Sequence, residues 1–340
     1  MNSSWKRRRV LVTGGASFIG SQLVKTLIQK GAEVRVVDNL TSGKLVNIKD
    51  RIDEGAIEFL QGDLLDRAVV QQAVEGMQAV FHLAADHGGR GYVDLHQVEC
   101  ATNFILDGLL FKTCYEAGVE KVVFASSGCV YPNYKQMNTR EEIYLKEEDV
   151  GPPYDADNMY GWAKLMSELT LRSYYRQYGM KSASCRFFTV YGPGGVENHA
   201  VIAMIARAFI RQNPFEVWGD GTQIRNWTYI DDIVNGMILS GEKIDDGTAV
   251  NLGTTERITV IDAVKEILRT TGHNAEIKFR PDMPTGPLNR VAENSLAKKL
   301  LGWAPEVKFM DGLHRTIDWY FSTKKPEEVE AILGHMLTER

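Results

Sequence analysis

The sequence predicts an α/β fold, a doubly wound parallel sheet with a smaller C-terminal α/β lobe, and three observations carry that prediction. Short β-branched runs alternate with helical patterns through the first half of the chain, the signature of βαβ crossovers. A glycine-rich turn, Thr13-Gly14-Gly15-Ala16-Ser17-Phe18-Ile19-Gly20, separates the first strand from the first helix. Beyond Tyr191-Gly192-Pro193-Gly194-Gly195 the rhythm loosens into short elements broken by Pro214, Gly219, Gly221, Pro281, Pro284, Gly286 and Pro287, where a second lobe should begin. At 340 residues, 44% hydrophobic and 24% charged, the chain is long enough to bury a core of this kind.

Taken in order, Val10-Leu11-Val12 reads as the first strand and Phe18 to Lys30 as the first helix. Val34 to Val37, Ile57 to Leu60 and Ala79 to Leu83 read as the next three strands. A helical stretch from Asn103 to Gly118 leads to a fifth strand, Lys121 to Ala125. A second long helix, Met159 to Tyr178, leads to a sixth, Ala183 to Phe187. Six such strands fill a Rossmann-type sheet. The expected division is residues 1–188, joined by about 226–255, as the sheet domain, with 189–225 and 256–340 as the lobe. Trp5-Lys6-Arg7-Arg8-Arg9 reads as a solvated lead-in, and Pro326 to Leu337 as a helical surface appendage.

A net charge of -5 argues against the phosphate backbone of nucleic acid as a main partner. Four cysteines without a CxxC pair point to a reducing cytoplasm rather than a disulfide framework. No run approaches the roughly 18 apolar residues of a membrane span, and no metal-ligand spacing is read.

The glycine turn places backbone N–H groups and a helix N-terminus where a pyrophosphate would sit, through Gly14, Ser17, Phe18, Ile19 and Gly20. Asp38 closes the second strand, where a carboxylate bonds ribose hydroxyls. A carboxylate there followed by Asn39 rather than arginine favours NAD over NADP. Asp63, followed by Leu64 at the end of the third strand, is placed to meet the adenine amino group or simply to cap a turn. Ser17 departs from the glycine expected in the middle of the turn, and Gly15 is the candidate source of slack.

Tyr160-Gly161-Trp162-Ala163-Lys164 sets a phenol and an ammonium on one helix face. The lysine charge is expected to lower the tyrosine pKa, so that a phenolate takes a hydroxyl proton as hydride leaves. Ser126-Ser127-Gly128-Cys129-Val130-Tyr131 precedes it at the end of the fifth strand. With these residues in place, the chain resembles the extended short-chain dehydrogenase/reductase superfamily, in its nucleotide-sugar epimerase branch, over nearly its whole length. Asn103 and the strand end Leu83-Ala84-Ala85, which the resemblance places at the cofactor, also fall in family order. The resemblance implies that Ser127 and Tyr160 contact a sugar 4-hydroxyl and that Lys164 binds the nicotinamide ribose.

Gly128 and Cys129 stand where the 4,6-dehydratases of the family have Asp-Glu and the glucuronate decarboxylases a glutamate. Ser-Ser-Gly-Cys-Val-Tyr-Pro instead resembles the signature shared by GDP-mannose 3,5-epimerases and GDP-fucose synthases, in which the cysteine is an acid/base. The segment Asp86-His87-Gly88-Gly89-Arg90 resembles the sugar loop of the former. His199 is the candidate second acid/base, departing from the lysine of the former toward the histidine of the latter. The resemblance also assigns Arg225 and Arg290 to the diphosphate and puts Thr189 beside it in place of a common asparagine. Cys100, Cys114 and Cys185 read as core residues.

The leading expectation is therefore an NAD-dependent NDP-hexose 3,5-epimerase on a GDP-mannose-like substrate. Its rivals are an NADPH-dependent epimerase/reductase, an NDP-sugar 4-epimerase and a non-enzymatic nucleotide sensor. A homodimer is expected through the two long helices, with Leu106, Leu109, Leu110, Leu165 and Leu169 as apolar candidates for the shared face.

Overall fold

The computed structural model describes residues 4–336. Six strands follow the alternation of the sequence: β1 (Arg9–Thr13), β2 (Glu33–Asp38), β3 (Ile57–Gln61), β4 (Ala79–His82), β5 (Lys121–Ser127) and β6 (Lys181–Phe187). A seventh, Asp246–Leu252, joins the edge beside β6. Every pairing in this sheet is parallel, and from one edge the order is Asp246–Leu252, β6, β5, β4, β1, β2, β3. The order reverses between β1 and β4. Crossovers leave in opposite directions there, opening a crevice at the carboxyl ends of the strands.

Three smaller sheets stand outside the main one. Thr189–Tyr191 pairs with Trp227–Tyr229, and Phe215–Trp218 pairs with Ile277–Arg280. Ile224–Arg225 lies between Ile258–Thr259 and Asn289–Arg290. The last of these sheets brings two of the expected arginines side by side, since Arg225 and Arg290 are register partners.

A buried ion pair fastens the long helix Asn158–Tyr178 to the sheet. Arg186 on β6 meets Glu168 with two nitrogens, at 2.9 and 2.8 Å, and Ser126 on β5 donates to the same carboxylate at 2.6 Å. Both charged side chains are enclosed.

The structure corrects three expectations. Trp5 is not solvated: its ring is fully buried against Phe81 beneath the sheet, 5.2 Å between centroids, and only the neighbouring basic side chains carry the segment toward water. The last helix, Pro326–Met336, is docked rather than appended, with Val329 and Leu333 in the main core; Leu337 lies outside the described residues. Of the leucines expected on a dimer face, Leu106, Leu110 and Leu165 are buried within the subunit, and Leu109 and Leu169 pack against the same cores. The large hydrophobic side chains that the helices Asn103–Glu116 and Asn158–Tyr178 present to solvent are Phe104, Ile105, Trp162 and Met166, with Tyr115, Tyr175 and Tyr178 nearer their C-terminal ends. Among the described residues no helix is long and apolar enough to cross a membrane.

Candidate active site

The glycine turn ends β1 at the point where the sheet reverses. Gly14 has φ +68°, and a Cβ there would stand 2.9 Å from the Ala84 nitrogen at the end of β4. Gly20 sits against the Gly14 carbonyl so closely that a Cβ would come within 2.1 Å. Both glycines are required by the backbone path. Ser17 fits because its hydroxyl folds back onto the Gly14 carbonyl at 2.5 Å. Gly15 leaves room for Val36, whose Cγ1 would be 2.6 Å from a Cβ there. The helix Phe18–Gln29 begins behind this turn without a side-chain cap, so its first N–H groups form a ready anion site.

Asp38 is nearly enclosed, accepting from the Ala16 N–H at 3.0 Å and the Leu40 N–H at 2.9 Å, one bond to each oxygen. Each carboxylate oxygen retains a lone pair for a hydroxyl donor. Asn39 bridges to Asp63 at 3.3 Å, and Asp63 also accepts from the Leu65 N–H, so its carboxylate works as a turn cap. Leu64 turns its side chain into the core beside Leu11 and Val37, leaving only backbone for a ligand. Leu83 and Ala84 are half-buried, and both donate backbone N–H to Thr13, while Ala85 follows them half-buried in the crevice wall. Turn, open helix end and carboxylate together fit a dinucleotide with free ribose hydroxyls.

Ser127, Cys129, Tyr160 and Lys164 come together at the mouth of this crevice. Ser127 ends β5, accepts from the Cys129 N–H at 3.1 Å and hydrogen-bonds Tyr160. The Tyr160 helix is seated on the cysteine turn: the Asp157 N–H donates to the Cys129 carbonyl at 2.8 Å, and Gly161 packs on the same oxygen. Lys164 is buried, its Nζ 4.6 Å from the Phe124 ring centroid and 5.7 Å from that of Tyr160. The expectation that the lysine lowers the phenol pKa is not met. Burial, followed by the Cys129 sulfur and the Asp107 carboxylate, raises Tyr160 well above the ordinary phenol range, and the Ser127 hydroxyl opposes this only in part.

Arg90, Arg225 and Arg290 converge on the same place. The Arg290 nitrogens each donate to protein: Nε to Gln136 at 2.6 Å, Nη1 to the Cys129 sulfur at 3.3 Å and Nη2 to Asp157 at 2.9 Å. Three of its five N–H donors are thus engaged with protein and two are left, so the assignment of Arg290 to a diphosphate stays a proposal. Burial works against that charge, but Cys129 and Asp157 outweigh it and hold the Arg290 pKa above its ordinary value. Arg90 donates to both oxygens of Asp94 and, at 2.8 Å, to the same Asp157 oxygen that Arg290 uses. Arg225 differs from both. Its described partners are the carbonyls of Ile224 and Thr285, and burial together with the nearby Arg290 and Arg90 disfavours its charge. An anion placed there would relieve that imbalance.

Other predicted residues lie farther round the crevice. His199 caps the helix Ala200–Phe209 and meets Phe18 edge-on, 6.4 Å between rings, so it approaches from the cofactor turn. Gly88 and Gly89 pack close, Gly88 under Tyr92 and Gly89 against the Asn198 carbonyl next to His199. Thr189 opens the short strand paired with Trp227.

Sequence reasoning missed Asp157, the hub joining Arg90, Arg290 and the tyrosine helix. Its signal was its place three residues before Tyr160 as a helix N-cap. The carboxylate makes no cap bond and is turned to the arginines instead. Among the described residues there is no group of three or more His, Cys, Asp or Glu side chains placed to hold a metal.

Residues 10–253 match the NAD dependent epimerase/dehydratase family. The chain is 31% identical over 334 residues to GDP-mannose 3,5-epimerase 1 of Oryza sativa subsp. japonica, covering 96% of this chain and 85% of that one. It is 32% identical over 317 residues to UDP-glucuronate 4-epimerase of Thermodesulfobacterium geofontis, covering 91% and 95%. Its fold matches the crystal structure of UDP-glucose 4-epimerase from Thermotoga maritima with a TM-score of 0.83 and 30% identity, over 93% and 99% of the chains. The glycine turn, the carboxylate at its edge and these likenesses agree: this chain is an enzyme of the NAD-dependent epimerase/dehydratase family, with NAD as its cofactor.

Proposed function

We propose that the enzyme is a redox-neutral 3,5-epimerase of an NDP-hexose, with a GDP-mannose-like substrate, working in the cytoplasm as a homodimer. The observation that carries this reading is Cys129: a thiol at the reacting end of the crevice, beside Ser127 and Tyr160, with the Arg290 guanidinium 3.3 Å from its sulfur. A 4-epimerase needs only hydroxyl and hydride handling at one carbon. A thiol fixed between the hydroxyl pair and an arginine suits a second task, proton transfer at carbon.

NAD, when bound, would supply the acceptor and then the source of the hydride exchanged with the sugar C4. Ser127 and Tyr160 orient the 4-hydroxyl, whose proton passes to Tyr160 once the phenol has given up its own to solvent, an ionisation that the neighbouring Lys164 ammonium and the positive charge of bound NAD would favour. Once C4 is a ketone, the adjoining C–H bonds are acidified; Cys129 and His199 then remove and deliver protons at C3 and C5. Arg225, the arginine lacking a carboxylate partner among its described bonds, takes the substrate diphosphate. Gly88, Gly89, Arg90 and Thr189 frame the sugar and phosphate side. The sheet of residues 1–188 and about 226–255 carries the cofactor, and the lobe of 189–225 and 256–340 the nucleotide sugar. Asp38, with a Cβ at Gly43 coming 2.7 Å from its oxygens, leaves little room for a 2′-phosphate, which counts against the NADPH-dependent reductase.

A 4-epimerase remains the second reading because the relatives include 4-epimerases. The test is to incubate the purified enzyme with NAD and a panel of GDP- and UDP-hexoses in deuterated water and locate deuterium by NMR. The 3,5-epimerase reading predicts label at C3 or C5 without net consumption of NADH. Inversion at C4 with no carbon-bound deuterium would select the 4-epimerase.

A further inference from the structure

Behind Lys164 lies a buried polar chain that none of the roles above uses. Thr13 on β1, His82 on β4, Asp107 on the helix Asn103–Glu116 and Ser167 on the tyrosine helix are all enclosed. The Thr13 hydroxyl oxygen accepts from the backbone N–H groups of Leu83 and Ala84, both at 3.1 Å, so its own proton is free to go to His82 Nδ1 at 2.7 Å. That fixes the tautomer. His82 Nε2 carries the other proton and donates it to Asp107 Oδ1 at 2.9 Å, while Ser167 donates to Oδ2 at 2.6 Å. Burial lowers the His82 pKa, so the imidazole is neutral and does not cancel the charge of the carboxylate.

Lys164 shares the space. Ser167 lies one turn beyond it on the same helix face. The Phe124 ring touches both its ammonium, at 4.6 Å, and the His82 ring, at 5.7 Å. We propose that Asp107 is a positioning residue of the active site: a carboxylate held by His82 and Ser167 as the counter-charge that keeps the Lys164 ammonium charged and in place beneath Tyr160. The other titratable groups facing Lys164 are Cys129 after β5, His82 and His87 from β4 and the loop behind it, and Tyr160 on its own helix. Burial pulls the Lys164 pKa down, and Asp107 is the larger of the two influences that oppose it, ahead of Cys129. A fully enclosed ammonium without such a partner gives up its proton. The same chain ends on the N–H groups of Leu83 and Ala84, so the strand end at the cofactor crevice and the Asp107 carboxylate are set by one hydrogen-bonded unit.

The proposal rests on the reading of Tyr160 and Lys164 as the reacting pair only for its catalytic consequence, since its test needs neither substrate nor turnover. Enzyme labelled with ¹⁵N at the lysine side chains is titrated by NMR, the Lys164 signal being assigned by its loss in Lys164→Arg. Asp107→Asn keeps the shape and the hydrogen bonds but removes the charge, and should move the Lys164 midpoint down by about one pH unit or more. Ser167→Ala removes a hydrogen bond but keeps the charge, and should leave the midpoint in place. In the active enzyme the alkaline limb of the pH–rate profile should fall in step with the Asp107→Asn midpoint. If Asp107→Asn does not fold, Asp107→Ser must show the same downward shift, and the wild-type Lys164 signal must be that of an ammonium at pH 7.5. An unmoved midpoint in a folded Asp107 variant, an equal shift in Ser167→Ala, or a neutral Lys164 amine in the wild type at that pH would overturn the proposal. Retention of this result in an enzyme that fails to exchange protons at C3 or C5 would sink the function proposed above and leave this one standing.

Discussion

Gly161 shows how one residue connects the sequence to the site. It sits inside the Tyr160–Lys164 motif, where helix propensity alone would favour alanine. A Cβ at this position would stand 2.3 Å from the Cys129 carbonyl oxygen. The absence of a side chain lets the tyrosine helix rest directly on the cysteine turn, so the phenol and the thiol share one rigid seat. Gly161→Ala should therefore lift the helix from that turn and cost on the order of 10²-fold in kcat, because displacements near 1 Å at a reacting centre carry that penalty. Turnover assays alongside a thermal melt will check this; wild-type activity in the alanine variant would show that the two elements are not in register. Tyr160, Lys164, Ser127 and Cys129 were legible as residues because each belongs to a short local motif. The raised phenol was not, because it comes from enclosure by residues distant in sequence, Asp107 among them.

At the scale of elements, the site is held by charge pairs that no local motif announces. Asp157 receives Arg90 from the start of the helix Arg90–Leu95 and Arg290 from a strand of the lobe, so one carboxylate ties that helix, the lobe and the tyrosine helix together. Burial works against its ionisation, but the two guanidinium groups prevail and hold its pKa below the ordinary carboxylate value. The sign follows directly: a depressed folded-state pKa contributes stability that is fully present above the unfolded value and is lost as pH falls through the folded one. Asp157→Asn should cost on the order of 3 kcal/mol near neutral pH, since it leaves the buried Arg290 without its carboxylate partner, while Arg90 keeps Asp94. In urea titrations the gap between wild type and variant should close as the solution is acidified below pH 4. A gap that stays constant with pH would mean that packing, not charge, is responsible. The helices and strands themselves were legible from periodicity and from the glycine turn. The seventh strand, Asp246–Leu252, was hidden because its place beside β6 depends on a pairing more than 60 residues away in sequence.

For the whole molecule, the expected dimer survives as a proposal with a different set of residues. Leu106, Leu110 and Leu165 fill the subunit's own interior, and it is Ile105, 63% exposed, with Phe104, Trp162 and Met166 that lies on the outer face of the two long helices. Helical periodicity identifies an apolar stripe without saying whether the sheet or a second copy covers it. A homodimer should run at twice the 38.1 kDa subunit mass in light scattering, and Ile105→Glu should shift it toward monomer at micromolar concentration. A wild-type monomer at that concentration would remove the dimer from the account.

Fold class, cofactor and family all lay within reach of the sequence, because a glycine turn and an alternation of strands and helices are local patterns with one good physical solution. Whether Cys129 and His199 act as a pair is a matter of chemistry at carbon, and solvent exchange measures it most directly. Wild type, Cys129→Ser and His199→Asn should be incubated with NAD and the accepted NDP-hexose in deuterated water, with Tyr160→Phe as the variant that blocks C4 oxidation. The account predicts deuterium at C3 or C5 in the wild type, no exchange in Tyr160→Phe, and a loss of about 10²-fold or more in each acid/base variant while C4 oxidation persists. Exchange at the wild-type rate in a folded Cys129→Ser or His199→Asn enzyme would contradict it, and would leave a 4-epimerase as the better description.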